Sequence, residues 1–433
     1  LFDEDVMERF ISVLGLLVML LIAFALSNNR KRLPWRLIAT GIAMQAIFGL
    51  LILQTEPGQG LFAWMRDGVN AFLAFSNQGA SFLFGRLVGG TPGDSPGMWG
   101  IAFFVLPTII FVSSVMSVFF YLGVMQAVVK ALAKVMVWVM DTSGSESLAA
   151  SANIFMGHTE APLVIKPYLL TMTESELNAM MTSGMATIAG GVMAAYAGMG
   201  VDAGHLLTAS VMSAPAALVI AKIMIPETQE SPTKGAVKID IPKEDVNIID
   251  AACRGAGDGL KLCLNVGAML IAFVALIAMC NAALGLLPEF NGEALTFNRV
   301  VGWFMAPFAW LMGVRYEDCA AAGGVLGTRT VVNEFVGYLQ LQDIRYTVSE
   351  RTYTILTYAL CGFANFGSIA VQIGGVGNMV PERRKDIARL GVKSMIGGML
   401  ACFMTACLAG MLISDPDTVP VKPPPKPAVA AAK

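Results

Sequence analysis

Charge is scarce in this chain: Asp, Glu, Lys and Arg supply 14% of its 433 residues, against about 25% in a typical soluble domain. That scarcity removes the usual means of wetting a globular surface, and the 56% share of hydrophobic residues points to lipid as the solvent. Basic excess is absent as well. With 29 Lys and Arg against 31 Asp and Glu, the net charge is −2, which excludes the phosphate neutralisation that nucleic-acid binding requires. Histidine is nearly absent, and neither His158 nor His205 stands in a spacing such as His-Glu-x-x-His. A membrane-embedded enzyme would therefore lack a metal cluster or a nucleophile–base pair. The seven cysteines fall mostly in apolar runs without metal-ligand spacing and read as small buried hydrophobes. Nor is a cleavable leader expected. The first apolar run, Phe10 to Leu26, follows Asp3-Glu4-Asp5 and precedes Arg30-Lys31-Arg32, so it is expected to be a retained helix.

What the chain has is long apolar runs. Six carry the roughly 20 mostly apolar residues of a spanning helix: about 10–27, 36–54, 100–122, 204–225, 258–287 and 391–413. Two more, about 176–200 and 352–378, are long enough but contain Gly190-Gly191, and Asn365, Gly367, Ser368 and Gly374-Gly375. They read as discontinuous helices, giving eight crossings. Stretches at about 58–84, 123–140 and 297–313 mix aromatic and apolar residues with scattered charge, as interfacial helices do. Segments 142–170 and 317–345 carry His158, Thr159, Glu160 and Pro162, or Arg329, Asn333 and Glu334, and suit re-entrant hairpins better than spans.

The basic cluster Arg30-Lys31-Arg32 with Arg36 places the first loop in the cytoplasm and the N-terminus outside. Arg383-Arg384-Lys385, after the seventh crossing, falls inside on the same count. Counting both hairpins as spans preserves this parity; counting one does not. The polar connector at about 226–250 fits either scheme. The Pro- and Ala-rich stretch 416–433 reads as low-complexity and disordered.

The two unusual regions share a layout: amphipathic stretch, polar hairpin with a glutamate, broken helix, intact helix. Glu160 precedes Gly190 by 30 residues and Glu334 precedes Asn365 by 31, which suggests duplication. One clear span, 258–287, separates the copies, so they would run antiparallel. Inverted repeats with paired interrupted helices are the recurring build of secondary transporters, with the site where half-helix ends meet. Backbone groups freed at a break persist in a bilayer only where they face protein, water or ligand. An ionisable side chain at that depth is costly, so Glu160 and Glu334 mark a functional site. On residues alone, a proton relay, an ion pore ringed by the two acids and a carrier all remain open.

The stretches Asn153-Ile154-Phe155-Met156-Gly157-His158-Thr159-Glu160-Ala161-Pro162-Leu163 and Ser183 to Tyr196 resemble the concentrative nucleoside transporters. So do Thr328 to Val336, carrying Asn333-Glu334-Phe335, and Ala359 to Asn365. The resemblance runs from about residue 10 to 412. It implies an all-α polytopic protein: a homotrimer whose protomers each have eight transmembrane helices, two re-entrant hairpins and interfacial helices in an inverted repeat. It also implies sodium-coupled import of nucleosides across a bacterial inner membrane by an elevator-type movement.

The implied domains are scaffold helices over 1–122, a first transport-domain repeat over 123–225, a loop and scaffold helix over 226–293, a second transport-domain repeat over 294–413, and the tail 414–433. The resemblance assigns the nucleobase to Gly157, His158, Thr159, Glu160 and Val192. The ribose falls to Glu334, Asn365 and Ser368, with Phe363 nearby. Sodium falls to the side chains of Asn153 and Thr187 and the carbonyls of Met156 and Ile188; the alternative is that Asn153 and Thr187 only cap helices. His158 stands where the sodium-coupled relatives usually carry Gln. It opens two alternatives, an altered base preference and proton coupling, since imidazole titrates near neutrality. His205 is expected at an interface.

Overall fold

The computed structural model describes residues 4–85, 88, 101–234, 245–290, 292 and 294–413. The 414–433 tail and the middle of the polar connector, 235–244, lie outside the described residues. Those described are helical, with one isolated bridge between Ser143 and Lys234 and no strand.

The first apolar runs form α1 (Glu4–Ala25) and α2 (Trp35–Gln54). Thr55 then accepts from the Gly58 N–H at 3.1 Å and starts α3 (Glu56–Phe84), an amphipathic helix that leaves Trp64 and Phe82 exposed. The run at 100–122 appears as a π-helical turn, Ile101–Val105, leading into α4 (Leu106–Tyr121). Gly123, at φ +82°, then bends the chain by 76° into α5 (Val124–Met140). After α5 come a helical pair, α6 (Gly144–Asn153) and α7 (Ala161–Val164), a broken helix, α8 (Glu174–Ala186) and α9 (Gly190–Gly198), and an intact α10 (Ala203–Met224).

The 37-residue α11 (Ile248–Leu284) comes next. The same order then returns: α12 (Phe297–Leu311), the pair α13 (Cys319–Val331) and α14 (Glu334–Asp343), the broken α15 (Glu350–Leu360) and α16 (Phe366–Met379), and the intact α17 (Arg384–Leu412). Among the described residues five helices are long and apolar enough to cross a membrane, at Val6–Ala25, Trp35–Gln54, Ala203–Met224, Ile248–Leu284 and Pro381–Leu412. They coincide with five of the six uninterrupted runs.

The local reasons are ordinary capping chemistry. Ser143 with Glu146, and Thr173 with Glu176, form capping boxes that start α6 and α8. The core gathers on α10, nearly all of whose residues are buried, and on the C-terminal half of α17, whereas α11 turns Leu264, Ile271 and Met279 outward. Under this core lies a buried charge cluster. Lys222 near the end of α10 reaches Glu146 of α6 at 2.6 Å, Ser175 of α8 at 3.0 Å and Glu227 at 3.2 Å. It ties the first helical pair to both α8 and α10.

Two expectations need correction. The breaks fall at 187–189 and 361–365, while Gly190 and Gly191 begin α9, and Gly367, Ser368, Gly374 and Gly375 lie inside a continuous α16. Gly375 serves packing: a Cβ there would stand 2.6 Å from Thr159 Cγ2. Five of the cysteines are buried, but Cys253 and Cys280 are exposed on α11, because that helix shows most of its circumference to the outside. His205, in the first turn of α10, is half-buried. Its ring meets Phe62 edge-on at 4.9 Å and its Nδ1 lies 3.2 Å from the Tyr358 hydroxyl.

Candidate functional site

The second half of the site is built from two N-caps. Asn365 opens α16: its Oδ1 accepts from the Ser368 N–H at 2.9 Å and from the Ser368 hydroxyl at 3.2 Å. That commitment fixes the amide, so Nδ2 faces the other way and donates to Glu334 Oε2 at 3.0 Å. Glu334 is the first residue of α14, capped in turn by Asn333, whose Oδ1 accepts from the Val336 N–H at 2.9 Å. A carboxylate in the first turn suits the positive end of the helix. Its other oxygen, Oε1, accepts from the Tyr196 hydroxyl at 2.9 Å. Tyr196 is held by rings on α14, with Tyr338 at 4.3 Å and Phe335 at 5.7 Å. The buried carboxylate thus has both oxygens oriented by donors, and each keeps lone pairs for a further hydroxyl.

The first half is a turn laid across a break. The Gly190 N–H donates to the Phe155 carbonyl at 2.9 Å, pinning the 154–160 turn to the start of α9. Within the turn the Gly157 N–H donates to Glu160 Oε2 at 3.3 Å. Glu160 is exposed, unlike Glu334, and the charges acting on it from elsewhere are Asp258 and Arg254 of α11. The His158 ring stands edge-on to Phe363 at 4.9 Å, so the first turn meets the second break there. Its Nδ1 is buried without a hydrogen-bond partner among the described residues. Val192 is buried one helical turn before Tyr196 and shares its face.

Of the four residues expected to hold an ion, Thr187 and Ile188 lie in the first break, while Asn153 and Met156 flank Phe155, whose carbonyl the Gly190 N–H holds. Asn153 ends α6 and is 1% exposed, yet neither its Oδ1 nor its Nδ2 has a partner among the described residues. Buried amides are almost always satisfied, so an orphaned one calls for a water, an ion or another ligand. Thr187, just past α8, gives its proton to the Ser183 carbonyl at 2.9 Å, which leaves its oxygen lone pairs free. Buried Met156 and Ile188 stand beside these two in sequence. An oxygen-preferring cation fits this donor set; among the described residues no hydrogen bond shows Asn153 acting as a cap, whereas Thr187 is the C-cap residue of α8.

Sequence reasoning missed two residues. Tyr196 sat in a recognised stretch without a role. Gln372, 1% exposed, donates from Nε2 to the Met181 carbonyl at 3.0 Å and leaves Oε1 unpartnered. A Cβ at Gly184 would lie 2.7 Å from His158 Cβ and 3.1 Å from Gln372 Nε2, so the two side chains flank one point. An amide between apolar residues in the run 352–378, alongside Asn365 and Asn378, was the available signal.

With this geometry established, comparison with known proteins is specific. Residues 14–87 match the Na+ dependent nucleoside transporter N-terminus, 102–203 a nucleoside recognition Gate domain, and 205–410 the Na+ dependent nucleoside transporter C-terminus. An uncharacterized transporter of Haemophilus influenzae is 45% identical over 409 residues, which is 93% of this chain and 97% of that protein. Solute carrier family 28 member 3 of Eptatretus stoutii is 42% identical over 94% of this chain and 61% of that protein. Sodium/nucleoside cotransporter 2 of Rattus norvegicus is 39% identical over 94% and 63%. The chain thus spans about three fifths of these animal relatives.

CNTnw in an inward-facing, substrate-bound state has a TM-score of 0.89 at 40% identity, covering 94% of this chain and 99% of that one. A doubly substituted CNTnw in an outward-facing state has a TM-score of 0.88 at 40% identity, over 94% and 98%. The chain belongs to the Na+ dependent, concentrative nucleoside transporter family, and with its apolar helices it is a multi-pass membrane protein.

Proposed function

We propose that the protein is a sodium-coupled symporter that imports nucleosides across a bacterial inner membrane. The observation that carries this reading is the buried Glu334 carboxylate, oriented by Tyr196 and Asn365 where the second helical pair meets both broken helices. Such a carboxylate accepts strongly from vicinal sugar hydroxyls. Asn365 and Ser368 supply the neighbouring polar edge, and Phe363 an apolar wall. The base lies against Val192 and the 157–160 turn, where the Glu160 carboxylate and the unpartnered His158 Nδ1 are available. Sodium, as co-substrate, takes the orphaned Asn153 amide oxygen, Thr187 Oγ1 and the Met156 and Ile188 carbonyls. Because the 154–160 turn carries both Asn153's neighbours and the base-facing residues, filling the ion site holds that turn in its binding shape, which couples the two ligands.

In this reading α6–α7 and α13–α14 are re-entrant hairpins, and eight segments cross the bilayer with the N-terminus periplasmic. The two repeats (123–225 and 294–413) form a domain that moves past a scaffold made by 1–122 and 226–293, in a homotrimer, in the manner of an elevator. The multiple inward- and outward-facing states of CNTnw support such movement. The test is uptake of labelled uridine into proteoliposomes. Accumulation driven by an inward sodium gradient, with counterflow exchange, is expected. Accumulation driven equally by a pH gradient without sodium would move the coupling to protons, and conductance without exchange would make the protein a channel.

A further inference from the structure

The two broken helices end beside different polar groups. In the first repeat the last residue of α6, Asn153, offers an amide without a partner among the described residues. Where α15 stops, the equivalent helix α13 brings Arg329 in its last turn. Arg329 Nη2 donates to the Gly362 carbonyl at 3.4 Å and to Cys402 Sγ at 3.1 Å. The Cys402 thiol lies 3.5 Å from both the Ala186 and the Cys361 carbonyl oxygens, which belong to the ends of α8 and α15. Those ends touch: a Cβ on Gly362 would stand 2.7 Å from the Met185 carbonyl oxygen.

The guanidinium is wholly buried and lies 5.8 Å over the Phe403 ring. Among the described residues its Nε and Nη1 have no hydrogen-bond partner and no carboxylate stands in ion-pair contact with it, although its charge acts on the buried Glu334 from a distance. A buried charge without a carboxylate in contact is costly. What compensates it here is the negative end of a half-helix and the carbonyls left open by the break.

We propose that Arg329 is a tethered cation that takes, at the second break, the place a dissolved sodium ion takes at the first. The proposal rests on the sodium-coupled reading above. One repeat keeps an exchangeable ion and the other keeps a covalently attached one, so a single dissolved cation suffices, and Arg329 neutralises the joined helix ends whether or not that ion is bound.

The test is the sodium dependence of uridine uptake in proteoliposomes for R329Q, which retains a donor for Gly362 but no charge, and R329K, which retains the charge. Wild type and R329K are expected to give hyperbolic curves with a Hill coefficient of about one, while R329Q becomes sigmoid, tending to about two. Half-activation of R329Q should rise about tenfold, and millimolar guanidinium ion should restore the wild-type curve. A wild-type sodium curve in folded R329Q overturns the proposal, as does a wild-type curve that is already sigmoid. If R329Q does not fold, R329M keeps bulk without charge: recovery of folded R329K but not R329M supports the proposal, and equal recovery overturns it. A wild type indifferent to sodium refutes the symport reading itself, and that is seen before any variant is made.

Discussion

Replacing Glu334 by Gln changes one atom and one charge, and the surrounding bonds determine the outcome. Asn365 cannot turn its amide over, because Oδ1 holds the Ser368 N–H at the start of α16. The new glutamine must therefore keep its oxygen toward Asn365 Nδ2 and place its NH2 toward Tyr196, whose hydroxyl can rotate to accept. The side chain stays in place, and the loss of fold stability should be about 1 kcal/mol. Binding is affected far more. Hydrogen bonds to a charged acceptor contribute about 1.5–3 kcal/mol each. With one acceptor oxygen replaced by a donor and the other left neutral, the ribose edge should lose about 3 kcal/mol, or roughly a hundredfold in affinity. Calorimetric titration of detergent-solubilised protein with uridine at saturating sodium reads this directly, beside thermal unfolding to confirm the fold. A deoxyribonucleoside lacking a contacted hydroxyl should lose little further in the variant. Uridine affinity within about threefold of wild type, in a folded E334Q protein, would refute the ribose assignment.

Other substitutions separate the remaining roles. Asn153→Ala removes an orphaned buried amide, so it should raise thermal stability in sodium-free buffer while abolishing stabilisation by sodium and shifting half-activation of uptake upward by about tenfold or more; an unchanged sodium response would remove Asn153 from the ion site. His158→Gln deletes the edge contact with Phe363 and offers an amide to the base, and should change the adenosine-to-uridine affinity ratio in competition binding; a constant ratio would take His158 out of base recognition. Lys222→Met strands Glu146, 2.6 Å from the lost ammonium, and should cost about 3–5 kcal/mol of stability. Adding Glu146→Gln should recover part of it, and a single variant as stable as wild type in thermal unfolding would disprove a structural role for the cluster.

The order of helices was legible because lipid imposes a length on apolar runs: the starts and ends of α1, α2, α10 and α17 track their sequence runs within a few residues, except at the N-terminal ends of α1 and α17. Pairing of the two units was legible from the spacing of Glu160 and Glu334. The break points were less so. Glycine pairs attracted the reading, but at the second break a capping side chain, Asn365, serves the new N-terminus, at the first Ala189 offers none and the Gly190 N–H turns to the Phe155 carbonyl, and a glycine such as Gly375 can instead admit a neighbour, Thr159. Burial was not legible either, since Glu160 and Glu334 each stand where the second helix of a pair begins but only Glu334 is enclosed. Tyr196 and Gln372 were illegible as site residues because their partners, Glu334 and Met181, lie 138 and 191 residues away. Arg329 stood in plain view, yet nothing local said that its charge would meet the end of another helix rather than an acid.

The bond between Tyr196 and Glu334 also bears on biogenesis. Its partners are separated by 138 residues, and at roughly 5–20 residues per second of synthesis the tyrosine waits on the order of ten seconds for its carboxylate. Throughout that interval the emerging first repeat presents a polar face with nothing to cover it, since His158 likewise awaits Phe363 and the end of α8 awaits Gly362. The nascent chain must be shielded until α15 arrives, so variants that slow the second half should be removed by membrane quality control before they can show any defect in transport.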